Sequence, residues 1–150
     1  MVSKLKVKGD QLVFQAQADD AEQKLLAERV VYFQVIADDT ALTTGDGKMY
    51  FTVPPTLNGM NLVDADAMVA TASTSGLPTI QIRNVTKAQD MLSTKITIDA
   101  NEFASYTAAT PPVIDTTKDD VATADVLRID VDGAGTGTKG LQVVLTFRLP

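Results

Sequence analysis

Along most of the chain, apolar and polar residues alternate with a period of two. "KLKVK" sets Leu5 and Val7 against three lysines, Gly9-Asp10 makes a turn, and "QLVFQAQA" returns, which predicts a hairpin. "DDAEQKLLAE" has helix-forming composition, and Asp19 or Asp20 is placed to cap its first turn. Residues 1–28 therefore read as an N-terminal arm, a hairpin and a short helix, separable from residues 29–150.

From Arg29 the pattern changes. "RVVYFQVIA" is β-branched and aromatic on both faces, as in a strand buried on two sides or covered by a partner chain. "DDTALTTGDG" reads as a loop. "KMYFTV" alternates again until Pro54-Pro55 ends it, because proline offers a ladder no donor. "GMNLVDADAMVATA", "TIQIRNV", "KITIDA", "VLRIDVD" and "LQVVLTFRL" follow, separated by loops such as "STSGLP" and "TAATPP". Leu127, Ile129 and Val131 share one face; so do Leu141, Val143, Leu145, Phe147 and Leu149. Arg128, Asp130, Asp132, Gln142, Thr146 and Arg148 are expected to face water. Roughly seven or more short strands at this spacing predict an all-β, antiparallel sandwich. No alternation of strands with long helices argues for a parallel sheet.

Composition narrows the chemistry. The chain of 150 residues carries a formal net charge of -6, so most of its surface repels nucleic acid. It has no Cys and no His, which removes disulfides, thiolate ligands, Ser-His and Cys-His nucleophiles and the usual zinc sites. The N-terminus has no apolar run of signal-peptide or membrane-spanning type, so synthesis in a cytoplasm without membrane insertion is expected.

"GAGTGTKGLQVVLTFRLP" contains Gly135-x-Gly137-x-x-Gly140 and resembles a nucleotide fingerprint. Phosphate binding by such a loop needs a following helix, whose free amides meet the anion. Here a period-two run follows instead, and Thr138-Lys139-Gly140 does not fit a P-loop. The reading is a hairpin connection, with no cofactor. Asp38-Asp39 and Asp119-Asp120 are the most plausible calcium candidates, although solvated loop charge explains both pairs and no metal is expected. Alternating Asp130 and Asp132 read as the wet face of a strand. Nothing selects a carboxylate pair for glycoside hydrolysis. Tyr32, Tyr50 and Tyr106 are the amphipathic aromatics open to a glycan, with Tyr50 expected on an outer face. Asn84-Val85-Thr86 matches a glycosylation acceptor by pattern only.

The order "TTGDGKMYFTVPPTLNGMNLVDADAMV", "TIQIRNVTKAQDMLSTKITIDANEFASYTAATPPVID", "DDVATADVLRIDVD" and "GTGTKGLQVVLTFRLP" resembles small bacteriophage virion proteins, over about residues 30–150. The resemblance implies a jelly-roll-like sandwich on a virion, as a capsid-decorating protein or a piece of tail or fibre, and it implies no catalytic residues. Expected partners are further copies of the chain, as a homotrimer, and a capsid or tail protein. A host-surface glycan is the alternative. Val31, Tyr32, Phe33, Val35 and Ile36 are the expected oligomer interface, with the arm attaching to another virion protein or exchanging between subunits.

Overall fold

A computed structural model describes the backbone of residues 4–8 and 11–15 and all of residues 28–150. The expected short helix around Asp19–Glu28 lies almost wholly outside the described residues. β1 (Lys4–Lys8) and β2 (Gln11–Gln15) form an antiparallel ladder in which Leu5 opposes Phe14 and Val7 opposes Leu12.

The remaining strands are β3 (Arg29–Ala41), β4 (Gly45–Thr52), β5 (Asn61–Met68), β6 (Thr79–Asn84), β7 (Gln89–Asp90), β8 (Leu92–Thr94), β9 (Ile96–Thr97), β10 (Val113–Ile114), β11 (Val126–Gly133) and β12 (Lys139–Arg148). Helix among the described residues is confined to two 3-10 turns, Pro55–Leu57 and Ser105–Thr107. The protein is all-β, and every ladder is antiparallel.

One sheet runs β3-β12-β5. A second runs β4-β11-β6-β7, with β9 also on β6, and β8 pairs with β10. From β3 to β6, and again from β11 to β12, successive strands fall in opposite sheets, so β3 and β5 flank β12 while β4 and β6 flank β11.

Alternation supplies the core. Leu141, Val143, Leu145 and Phe147 of β12 meet Ile80 and Ile82 of β6 and Leu127, Ile129 and Val131 of β11 in one buried cluster. Each such side chain contributes about 1.5–3 kcal/mol by leaving water. Phe33 of β3 packs edge-on against Phe51 of β4, ring centroids 5.1 Å apart, and ties the two sheets together.

Four expectations change. The first concerns β3, which is buried on one face only in the single chain. Val31, Phe33 and Val35 turn inward, while Val30, Tyr32 and Gln34 turn outward. Leu141 faces Ile36 and Gln142 faces Gln34, so Val35 is an extra residue that bulges the strand. The second concerns "DDTALTTGDG". Only residues 42–44 separate β3 from β4, but the register jumps from Leu141–Ile36 to Lys139–Ala41, so Ala37–Thr40 form a wide bulge that passes close to Gly140.

Third, the glycine loop is no hairpin: it carries the chain from β11 in one sheet to β12 in the other. Gly135, Gly137 and Gly140 have φ of +67°, +75° and +69°, the region glycine enters without steric cost. The loop is stitched to Ser73–Gly76: Thr136 N donates to Ser75 O (2.8 Å), and Thr74 N donates to Thr136 O (2.9 Å). Thr136 N and O are thereby both engaged by the Ser73–Gly76 backbone. Fourth, Asp130 is buried rather than wet, and Leu149 lies beyond β12 and is exposed.

Candidate functional site

The inward set of β12 leaves Gln142, Val144, Thr146 and Arg148 on the outer face of the three-stranded sheet. Register aligns three rows across that face: Val30–Thr146–Asp64, Tyr32–Val144–Asp66 and Gln34–Gln142–Met68. Beyond β5, an isolated bridge from Met68 to Ala104 and a hydrogen bond from Val69 N to Phe103 O (2.9 Å) lay residues 103–106 alongside. Tyr32 (71% exposed), Tyr106 (66%) and Phe103 (60%) are thereby brought to one face. Val144 lies among them, buried without belonging to the core.

A groove of about 310 Å³ opens at one end, lined by Asp38, Met68, Ala70, Phe103 and Gln142. One wall is apolar. The other is a wired polar row, in which Gln142 Nε2 donates to Gln34 Oε1 (2.9 Å) and Gln34 Nε2 donates to Asp38 Oδ1 (3.0 Å). Ser105 Oγ donates to Asp66 Oδ1 (2.8 Å) and accepts from Ala67 N (3.1 Å), pinning the 3-10 turn to β5. Burial raises the Asp66 carboxyl above its ordinary pKa and nearby Asp64 adds to this, with the Ser105 bond opposing. Burial, then Asp66, Tyr32 and Asp64, raise the Tyr106 phenol, which stays a hydrogen-bond donor at neutral pH. Asp38, Asp39, Asp64 and Asp66 have no ion-pair partner among the described residues.

The outer face of the other sheet is the opposite in character. A cavity of about 410 Å³ there is lined by Asp46, Arg83, Asp90, Lys95, Arg128 and Asp130, among others. Arg128 bridges Asp46 (2.9 Å) and Asp130 (2.7 Å), Arg83 holds Asp90 (2.7 Å), and Lys95 holds Asp132 (3.0 Å). Asp130 also accepts Gly47 N at 2.7 Å. The charges lining this cavity answer one another.

The expected interface residues divide. Tyr32 lies on the exposed face and Ile36 at the bulge, while Phe33 and Val35 are core residues and Val31 packs against the core. Phe33 and Val35 serve the interior, while Val30 and Tyr32 are the residues that β3 presents outward. Tyr106 joins Tyr32, whereas Tyr50 is exposed on the other sheet beside Arg128. The calcium candidates diverge: Asp120 pairs with Lys87, Asp119 is buried, and the described residues contain no group of three acidic side chains able to hold a metal. Sequence reasoning missed Phe103, Met68 and the Asp66–Ser105 bond. The outward parity of Val30, Tyr32 and Val144 was the available signal.

Comparison with known protein families, with characterised proteins and with solved structures finds no match in any of the three.

Proposed function

We propose that this chain is a non-enzymatic structural protein of a bacteriophage virion, made in the host cytoplasm, which binds and stabilises a capsid or tail surface as an oligomer. Capsid decoration by a homotrimer is the favoured form. The observation that carries the reading is the asymmetry of the two outer faces. One is closed by its own ion pairs; the other presents Val30, Tyr32, Phe103 and Tyr106 beside Asp38, Asp64 and Asp66, carboxylates without cationic partners among the described residues. Contiguous exposed apolar surface of this kind marks a contact site. The strand order supports a jelly roll, since β12 between β3 and β5, and β11 between β4 and β6, is the interleaving that nested Greek keys produce.

Light scattering on the full chain tests the reading. A mass that is a multiple of 16.0 kDa, falling to the single-chain value in Tyr32→Ser/Tyr106→Ser, is expected. A wild-type chain of single-chain mass at all concentrations contradicts it.

A second reading has its own support. Tyr32 and Tyr106 on one face with Asp64, Asp66 and Gln142 nearby offer ring surfaces and hydrogen-bonding groups to a host-surface glycan. A glycan array probed with wild type and with Tyr32→Ala/Tyr106→Ala decides it: hits lost in the variant support the reading, and their absence or survival removes it.

A further inference from the structure

The β1-β2 ladder carries an unsolved packing problem. Its register puts positions Leu5, Val7, Leu12 and Phe14 on one face, and Lys4, Lys6 and Lys8 on the other with Gln11, Val13 and Gln15. A two-stranded ladder with one apolar face is marginal in water until that face is covered. The outer face of the three-stranded sheet is the complementary surface. It is apolar at Val30, Tyr32, Val144, Met68, Phe103 and Tyr106, and it is rimmed by Asp38, Asp64 and Asp66.

Charge complementarity strengthens the match. In residues 28–150, Arg83, Lys87, Lys95, Lys118 and Arg128 are held in ion pairs elsewhere and Arg148 pairs with Glu28, which leaves Arg29, Lys48 and Lys139 as the cations without an acidic partner. The arm brings three lysines within five positions of sequence. Dimensions agree as well. Two five-residue strands cover about 17 Å by 10 Å, and three strands with the eight residues of β5 offer about 26 Å by 14 Å.

We infer that the N-terminal hairpin, residues 4–15, of one copy packs its Leu5/Val7/Leu12/Phe14 face onto the outer face of the β3-β12-β5 sheet of a neighbouring copy. This rests on the oligomeric reading above and names the segment that makes the contact. Lys4, Lys6 and Lys8 occupy the positions of the opposite face, so their charge favours approach to the acidic rim at long range rather than by direct pairing. Residues 16–28, which join the hairpin to β3, span at most about 45 Å when extended, enough to cross to an adjacent copy.

Two full-length variants test the exchange. An arm variant, Leu5→Ser/Leu12→Ser/Phe14→Ser, keeps its sheet face; a face variant, Tyr32→Ser/Tyr106→Ser, keeps its arm. Each alone is expected to scatter as a single chain with an unchanged urea midpoint for residues 28–150. Mixed in equal amounts they are expected to regain a mass above 16.0 kDa, since the arm of one fits the face of the other. A mixture that stays at single-chain mass while wild type associates overturns the exchange and leaves oligomerisation standing. An arm variant that still associates does the same. A wild-type chain that never associates overturns both.

Discussion

Gly140 tests the account of the glycine loop most sharply. A Cβ added there lies 2.9 Å from Ala70 Cβ and 3.0 Å from Asp38 Cα, because the bulged part of β3 and the chain after β5 both close on β12 at this point. A Cβ on Gly137 meets nothing within 4 Å, although its φ, +75°, is nearly that of Gly140, +69°. Alanine in the left-handed region costs about 1–2 kcal/mol at either position. Gly137→Ala incurs that cost alone. Gly140→Ala adds the cost of overpacking against backbone, typically about 1–3 kcal/mol, for a total of about 2–5 kcal/mol. Urea unfolding at neutral pH reads the difference as a shift of midpoint at unchanged slope. In a chain of this size each kcal/mol also lowers Tm by about 2–4 °C. Equal losses in the two variants would refute the close-approach argument. So would a phosphate or nucleotide that stabilises wild type and not Gly140→Ala, by returning the loop to ligand binding.

Three other perturbations follow from the buried polar groups. Thr138 Oγ1 is buried without a hydrogen-bond partner, so Thr138→Val is expected to raise stability by about 1 kcal/mol, read by urea unfolding. Asp125 is buried and accepts Asn84 Nδ2 (3.0 Å) and Ala122 N (3.0 Å), with Lys87 Nζ 3.6 Å away. Burial, its largest influence, pushes its pKa up, but these partners together hold it below the usual value. A lowered folded pKa gives stability that is present above the unfolded value, about 3.9, and is lost as pH falls through the folded one. Asn84→Ala should therefore cost about 1.5–3 kcal/mol at pH 7, with the gap to wild type narrowing in unfolding curves below about pH 4. Asp66 has the opposite sign. Its raised pKa means that wild type gains stability as pH falls through the folded value, so Asp66→Asn should be the more stable protein at pH 7 and lose that advantage toward about pH 4. An advantage independent of pH would place the cause elsewhere.

Much of the fold was legible because burial in a sheet follows parity. Leu127, Ile129, Val131, Leu141, Val143, Leu145 and Phe147 alternate, and all lie in the core. What parity does not encode is pairing. "GAGTGTKG" looks the same whether it turns a hairpin or crosses between sheets, because either path needs positive φ. Only the partners of β11 and β12, strands distant in sequence, separate the two. Asp130 misled for a related reason. An aspartate at an outward position reads as wet until Arg128, two residues before it on the same strand, and the β4 backbone at Gly47 cover it. The candidate face was half legible. Tyr32 and Tyr106 stood out as amphipathic aromatics, but their convergence depends on β12 lying between β3 and β5 and on Ser105 anchoring the turn that carries Tyr106.

The contact face itself is tested most directly by hydroxyl-radical footprinting of the full chain across a dilution series. Tyr32, Tyr106 and Tyr50 have similar exposure in the single chain, 71%, 66% and 61%, so each controls for the others. The account predicts that Tyr32 and Tyr106 are protected at high concentration and become reactive on dilution, while Tyr50 reacts throughout. Equal reactivity of all three at every concentration, or protection of Tyr50 alone, would contradict it.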